Sequence, residues 1–189
     1  SISRRAFVKS AVAIGGASAL SACLQRESTP DLPTGSDDPS SLPDRQHAWD
    51  APLPRDEHGN VVAPRHHVVL LAEYRGEAPS DDDRETVESA LRALERAYPW
   101  SNEGLLFTVG YAPRYFERFD ESLPDSVDLP EPTALAPFEE PDLDRPDAVV
   151  HLASDYGSVV LAAEQALRGE SETLNGVDVP ASFADVLDV

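Results

Sequence analysis

Thirteen of the chain's 17 prolines fall in two stretches, 30–64 and 124–146, and this spacing decides where regular structure can form. Proline fixes φ and has no N–H to donate, so neither a helix nor a central strand survives repeated prolines. Serine, aspartate and glycine fill the gaps between them. Such segments cannot bury enough apolar surface to offset the entropy of ordering. Residues 23–64 are therefore expected to be an extended, disordered tether, and 120–146 an acidic, proline-rich insert. The fold must be built from what remains, 65–119 and 147–189.

Those two stretches are well patterned. His66 to Tyr74 is a short apolar run rich in β-formers, bounded by Pro64 and Gly76, and reads as a buried strand. Ser80 reads as an N-cap, with Asp81, Asp82 and Asp83 in a first turn where the helix dipole favours anions. Val87, Leu91, Leu94 and Tyr98 then recur at helical spacing, and Pro99 stops the helix. Leu105 to Val109 predicts a second strand that Gly110 breaks, and Pro113 suits the first position of a short helix. Ala148 to Ala153 predicts a third strand. Asp155 is expected to cap a second long helix with Tyr156, Val159, Val160, Ala163 and Leu167 on its apolar face, closed by Gly169. Phe183, Val186, Leu187 and Val189 suggest the start of a fourth strand. This order predicts an α+β domain over 65–189, a ferredoxin-like split βαβ unit with an antiparallel sheet carrying both helices on one face. The other face would then need a cover, from a second similar half or from a second copy in a homodimer.

The N-terminus reads as an address. Arg4, Arg5, Phe7 and Lys9 precede a short, weakly apolar run that ends at Ala22. A spanning helix needs about 20 apolar residues, so this is the layout of a twin-arginine export signal over 1–22. Leu20, Ser21, Ala22 and Cys23 resemble a lipobox, in which cleavage leaves Cys23 as a lipid-bearing N-terminus. The sequence thus places the protein on the outer face of the cell membrane, held by a lipid anchor. Cys23 is the only cysteine, so no internal disulfide framework is possible.

Acids outnumber bases 35 to 15, giving a formal net charge of −20, and 14 of the 15 bases are arginine. That surface excludes nucleic acid as a partner, because phosphate backbones need a basic face. Acid excess with a single lysine matches the composition of proteins from extremely halophilic archaea. Concentrated salt screens carboxylate repulsion within about 3 Å at 1 M.

Chemistry-bearing residues are few. His47 and His58 lie in the tether without partners at ligand spacing. Asp81 to Asp83 lack the frame of a calcium loop and read as helix capping. Arg114 and Arg118, one turn apart, could bind an anion such as a haem propionate, but read first as solvated helix charges. His151 reads as a satisfied or partly exposed strand histidine. There is no Gly-x-Ser-x-Gly, no His-Glu-x-x-His and no phosphate-cradling glycine loop. No metal site is expected.

Three stretches carry a family resemblance: Gly104 to Phe116 (GLLFTVGYAPRYF), Asp147 to Asp155 (DAVVHLASD) and Val159 to Leu167 (VVLAAEQAL). Together they resemble the N-terminal half of dye-decolourising-type haem peroxidases, in particular halophilic twin-arginine-exported relatives. The resemblance implies two ferredoxin-like halves packed sheet to sheet, haem held mostly by the second, and peroxide-dependent oxidation. It also implies a domain incomplete at its C-terminus. The family's Gly-x-x-Asp-Gly signature does not occur here, and its distal arginine and proximal histidine belong to the second half. No catalytic or haem-binding residue is carried over, enzyme activity stays open, and haem is not expected to bind this chain alone. The competing expectation is a non-catalytic halophilic surface lipoprotein whose ferredoxin-like domain binds a ligand or partner.

Overall fold

The computed structural model describes residues 31–38, 40, 53–124 and 126–189. Arg4, Arg5, Cys23 and His47 lie outside the described residues. The chain divides into two units, Ser1–Asp31 and Leu32–Val189, and the second carries every element below.

In chain order these are β1 (His66–Tyr74), α1 (Asp81–Ala97), β2 (Leu106–Tyr111), the one-turn α2 (Pro113–Phe116), β3 (Ala148–Ser154), α3 (Gly157–Leu167), β4 (Thr173–Leu174), β5 (Val177–Asp178) and β6 (Leu187–Asp188). A 3-10 turn, Phe183–Asp185, precedes β6. Four strands form one sheet in the order β2-β3-β1-β6, and every pairing in it is antiparallel. The class is α+β, as the pattern predicts.

Strand alternation sorts the sheet into two faces. Leu70 and Ala72 of β1 and Val150 and Leu152 of β3 are buried, and they share one core with Ala90 and Leu94 of α1 and Val159, Val160 and Ala163 of α3. Their neighbours on β1 point the other way: Val69 is 59% exposed and Leu71 46%. Both long helices therefore cover one face and leave much of the other open.

α1 begins where the sequence puts it. Ser80 is extended, its side chain accepts from the Asp83 N–H at 3.2 Å, and the Asp83 carboxylate accepts from the Ser80 N–H at 2.9 Å. This reciprocal cap satisfies two N–H groups that the first turn would otherwise leave bare. Ser80→Ala should lower stability by about 1 kcal/mol, read from urea unfolding at constant high salt. No measurable loss would show that the cap contributes nothing. The helix ends at Ala97 because Pro99 disfavours helical backbone at Tyr98, which is extended.

Four details differ from expectation. Gly110 does not break β2; it pairs with Val149 inside the strand, since no steric demand there calls for a turn. Asp155 does not cap α3. Its Oδ1 accepts from the Arg65 N–H at 3.1 Å, while Ser154 Oγ accepts from the Tyr156 N–H, so a partner 90 residues away takes the capping carboxylate. An unexpected hairpin, β4–β5, turns through Asn175 and Gly176, both at positive φ. The fourth sheet strand is only two residues long and pairs Glu73 with Asp188 and Tyr74 with Leu187.

Residues 53–64, expected to belong to the tether, form a turned segment. Arg55 bridges Val61, and the Val62 carbonyl accepts from Asn102 Nδ2 at 2.9 Å. The described residues of 120–146 hold no helix or strand, and Leu135 and Phe138 stand almost fully exposed. No helix among the described residues is long and apolar enough to cross a membrane.

Candidate functional site

Two clusters gather the chemistry-bearing side chains. The first centres on Asp147, which is 0% exposed and immediately precedes β3. Its backbone N–H donates to the Ala72 carbonyl and its own carbonyl accepts from the Ala112 N–H, so three strand ends converge there. Its carboxylate takes a bidentate pair from Arg118, Nε to Oδ1 at 2.7 Å and Nη2 to Oδ2 at 2.9 Å, and Oδ2 also accepts from the Tyr74 N–H at 2.6 Å. Burial alone would raise the Asp147 pKa. The Arg118 bonds, the Tyr74 N–H and the charges of Arg118 and Arg114 outweigh it and hold the carboxyl below its ordinary value.

Arg118 extends this cluster. Its Nη1 donates to the Gly76 carbonyl and its guanidinium lies 5.4 Å from the centroid of the Tyr74 ring. The Tyr74 hydroxyl donates to Asp83 Oδ2 at 2.8 Å, joining this centre to the α1 cap. Burial, with the Asp83 hydrogen bond and charge, pushes the Tyr74 hydroxyl up to about 12, so it stays a neutral donor at any ordinary pH. Beside it, Tyr111, Tyr115, Phe116 and Phe119 pack ring to ring, and Tyr74, Tyr111, Tyr115 and Val87 line a shallow cleft.

Arg118 is thus not the solvated helix charge that its spacing suggests. It is drawn inward because Asp147 is buried and needs an opposite charge. Arg114 is half-exposed, 4.0 Å from Asp147 and 3.7 Å from Glu73. Since Arg118 is committed to Asp147, it is not available to a haem propionate.

The second cluster lies on the open sheet face. His151 stands opposite Val69 and Thr108 in the strand register, and His67 stands two pairs further on, opposite Ala153. This diagonal brings the two imidazoles together: His67 Nδ1 lies 2.9 Å from His151 Nε2, with ring centroids 5.1 Å apart and planes within 10°. His67 Nε2 is 2.8 Å from the Pro64 carbonyl oxygen. A carbonyl only accepts, so His67 carries its proton on Nε2 and His151 Nε2–H donates to the bare Nδ1. Burial, and then the proximity of His67, lowers the His151 pKa. His151 is therefore a strand histidine as expected, but its partner His67 escaped the sequence reading because only the strand register joins them. His58 sits in the exposed turn beside Glu57, at 3.6 Å.

Among the described residues no group of three or more His, Cys, Asp or Glu side chains could hold a metal ion. The His67–His151 pair lies on a flat sheet face beside exposed Val69. Among the described residues that face does not enclose a porphyrin.

The fold and the two clusters define an α+β domain with a helix-covered face, a partly bare face, and no assembled catalytic constellation among the described residues. The chain belongs to a family of unknown function, DUF7405, which it matches over residues 64–189. No curated protein and no solved structure matches it.

Proposed function

We propose that this chain is an exported, lipid-anchored binding module whose domain docks a second folded unit through its open sheet face. The exposure of Val69 and Leu71 side by side on β1, where it pairs with β3, carries this reading. A sheet face with bare aliphatic side chains loses hydrophobic stabilisation unless something covers it. Arg4 and Arg5 support export by the twin-arginine route, and Cys23 supports a lipid anchor at the outer membrane face. The acidic composition supports a halophilic setting.

The strand order β2-β3-β1-β6 supports a ferredoxin-like split βαβ unit. It favours a second reading, in which the chain is the N-terminal half of a haem peroxidase-like protein and the covering unit is a haem-bearing catalytic half.

The test places a photo-crosslinking residue at Val69 in the full chain, expressed in its native cells in high salt. One discrete cross-linked product is expected, abolished by Leu71→Glu. A chain that stays uncrosslinked would overturn the docking reading. A haem Soret band in the cross-linked product would select the peroxidase half, and its absence the non-catalytic module.

A further inference from the structure

We infer that residues Leu32–Gly35 are a strap, docked in a built seat at the C-terminal end of α1, that fastens the N-terminal arm to the domain well ahead of β1. The seat exists because α1 ends abruptly. The last carbonyls of a helix have no partner within it. The residue after the Tyr98 cap is Pro99, which can neither adopt the left-handed capping conformation nor donate an N–H. The Leu94 carbonyl is served locally, by the Tyr98 N–H at 3.2 Å. The carbonyls of Arg96 and Ala97 take donors from far along the chain. The Gly35 N–H donates to the Arg96 carbonyl at 2.8 Å, and Asn175 Nδ2 donates to the Ala97 carbonyl at 2.7 Å.

The seat is fitted to this segment. Asn175, held at φ 48 in the β4–β5 turn, spreads the same amide across the strap: Nδ2 lies 3.2 Å from the Leu32 carbonyl oxygen and 3.3 Å from that of Pro33. One side chain thus ties strap, helix end and hairpin together. A Cβ on Gly35 would overlap the carbonyl oxygens of Glu95 and Tyr98, so this close approach of two backbones admits only glycine. Leu32 packs against the core, while Pro33 and Thr34 stay exposed. Pro33 also disfavours helical backbone at Leu32, which keeps the strap extended. Composition assigns these residues to the tether because a segment this short carries no hydrophobic period.

The strap resets the leash on the domain, a consequence that rests on the lipid anchor proposed above. With the strap seated, residues 24–31 separate a lipid-bearing Cys23 from Leu32, and a fully extended chain of that length spans about 30 Å. Without it, the chain between Cys23 and the turned segment at 53–64 could reach about 100 Å. The strap therefore holds the domain close to the bilayer surface, and its release lets the domain out. It binds α1 and the β4–β5 hairpin rather than the sheet, so Val69 and Leu71 stay bare for the docking partner.

The test uses the full chain in high salt. Hydrogen exchange should find the amide at position 35 protected in the parent and in the control Thr34→Ala. Gly35→Ala supplies the overlapping Cβ, and Asn175→Gly removes the seat's amide while tolerating the left-handed backbone. Each should speed exchange at position 35 by about tenfold or more, with the amides of β1 and β3 still protected. Unchanged exchange in both variants would overturn the strap. So would protection lost equally across β1 and β3, since the segment would then be core and not a fastener. The second arm measures energy transfer from a dye on Asp178→Cys, exposed on β5, to headgroup acceptors in phosphatidylcholine vesicles carrying the lipidated chain. Transfer should fall in Gly35→Ala and hold in Thr34→Ala; equal transfer in both would overturn the leash. A parent that does not bind the vesicles would overturn the lipid anchor alone, and the exchange result would still decide the strap.

Discussion

Asp147→Ala is expected to destabilise the domain by about 3–5 kcal/mol, because it leaves a guanidinium in a largely buried place without its counter-charge. Arg118 is only 18% exposed, and its remaining contacts are the Gly76 carbonyl and the Tyr74 ring. Typical domains are stable by about 5–15 kcal/mol, so this one substitution would remove a large share of the total. Urea is the right denaturant, since guanidinium chloride would change the ionic strength. The contrast lies in the double replacement Asp147→Leu with Arg118→Met, which removes both charges and should cost far less than the single change. A single variant as stable as the parent would mean that solvent reaches the pair after all.

The same carboxyl gives a pH dependence of known sign. Its folded pKa lies below the ordinary aspartate value. Its contribution is therefore complete above the unfolded pKa of about 3.9 and is lost as pH falls through the lowered folded value. Asp147→Asn should flatten that acid limb.

Salt is expected to have the other large effect. With a net charge of −20, self-repulsion grows as screening weakens, from a Debye length of about 3 Å at 1 M to about 10 Å at 0.1 M. Many arginines of the domain are already neutralised locally. Arg92 reaches Glu95 at 2.8 Å and Glu88 at 3.6 Å, and Arg168 reaches Glu164 at 3.0 Å. The excess acids, such as exposed Glu170 and Glu172 just beyond the C-terminal end of α3, have no such relief in dilute buffer. Circular dichroism and small-angle scattering on a KCl titration should show loss of compact structure below about 0.5 M. Replacing Glu170 and Glu172 by lysine should move the midpoint to lower salt. An unchanged spectrum down to millimolar KCl would remove the salt-adapted reading.

Local signals made much of the fold legible. Ser80 with three following aspartates marks α1, and the prolines mark where it and the sheet must stop. Asn175-Gly176 was an equally local hairpin signal, though a short one. What the sequence withheld is non-local. Arg118 and Asp147 are 29 residues apart across an irregular stretch, and His67 and His151 are 84 apart. Their meeting depends on which residue of β1 lies opposite which of β3. A shift of one residue would send His67 to the helix-covered face and leave His151 without it. Asp155 shows the same limit, since its capping role yields to Arg65, a residue that only the folded chain brings near.

The Arg118–Asp147 pair joins the two ends of the proline-rich excursion between β2 and β3. It acts as a clasp at the neck of that loop, holding the sheet whatever happens beyond it. Lengthening a closed loop costs entropy only logarithmically, about 0.6 kcal/mol per doubling. The segment can therefore change length and composition with little effect on the strands on either side. Leu135 and Phe138, out at its exposed part, lie where new sequence could be added to a protein of this architecture, as a tag or a second recognition element, while the neck stays shut.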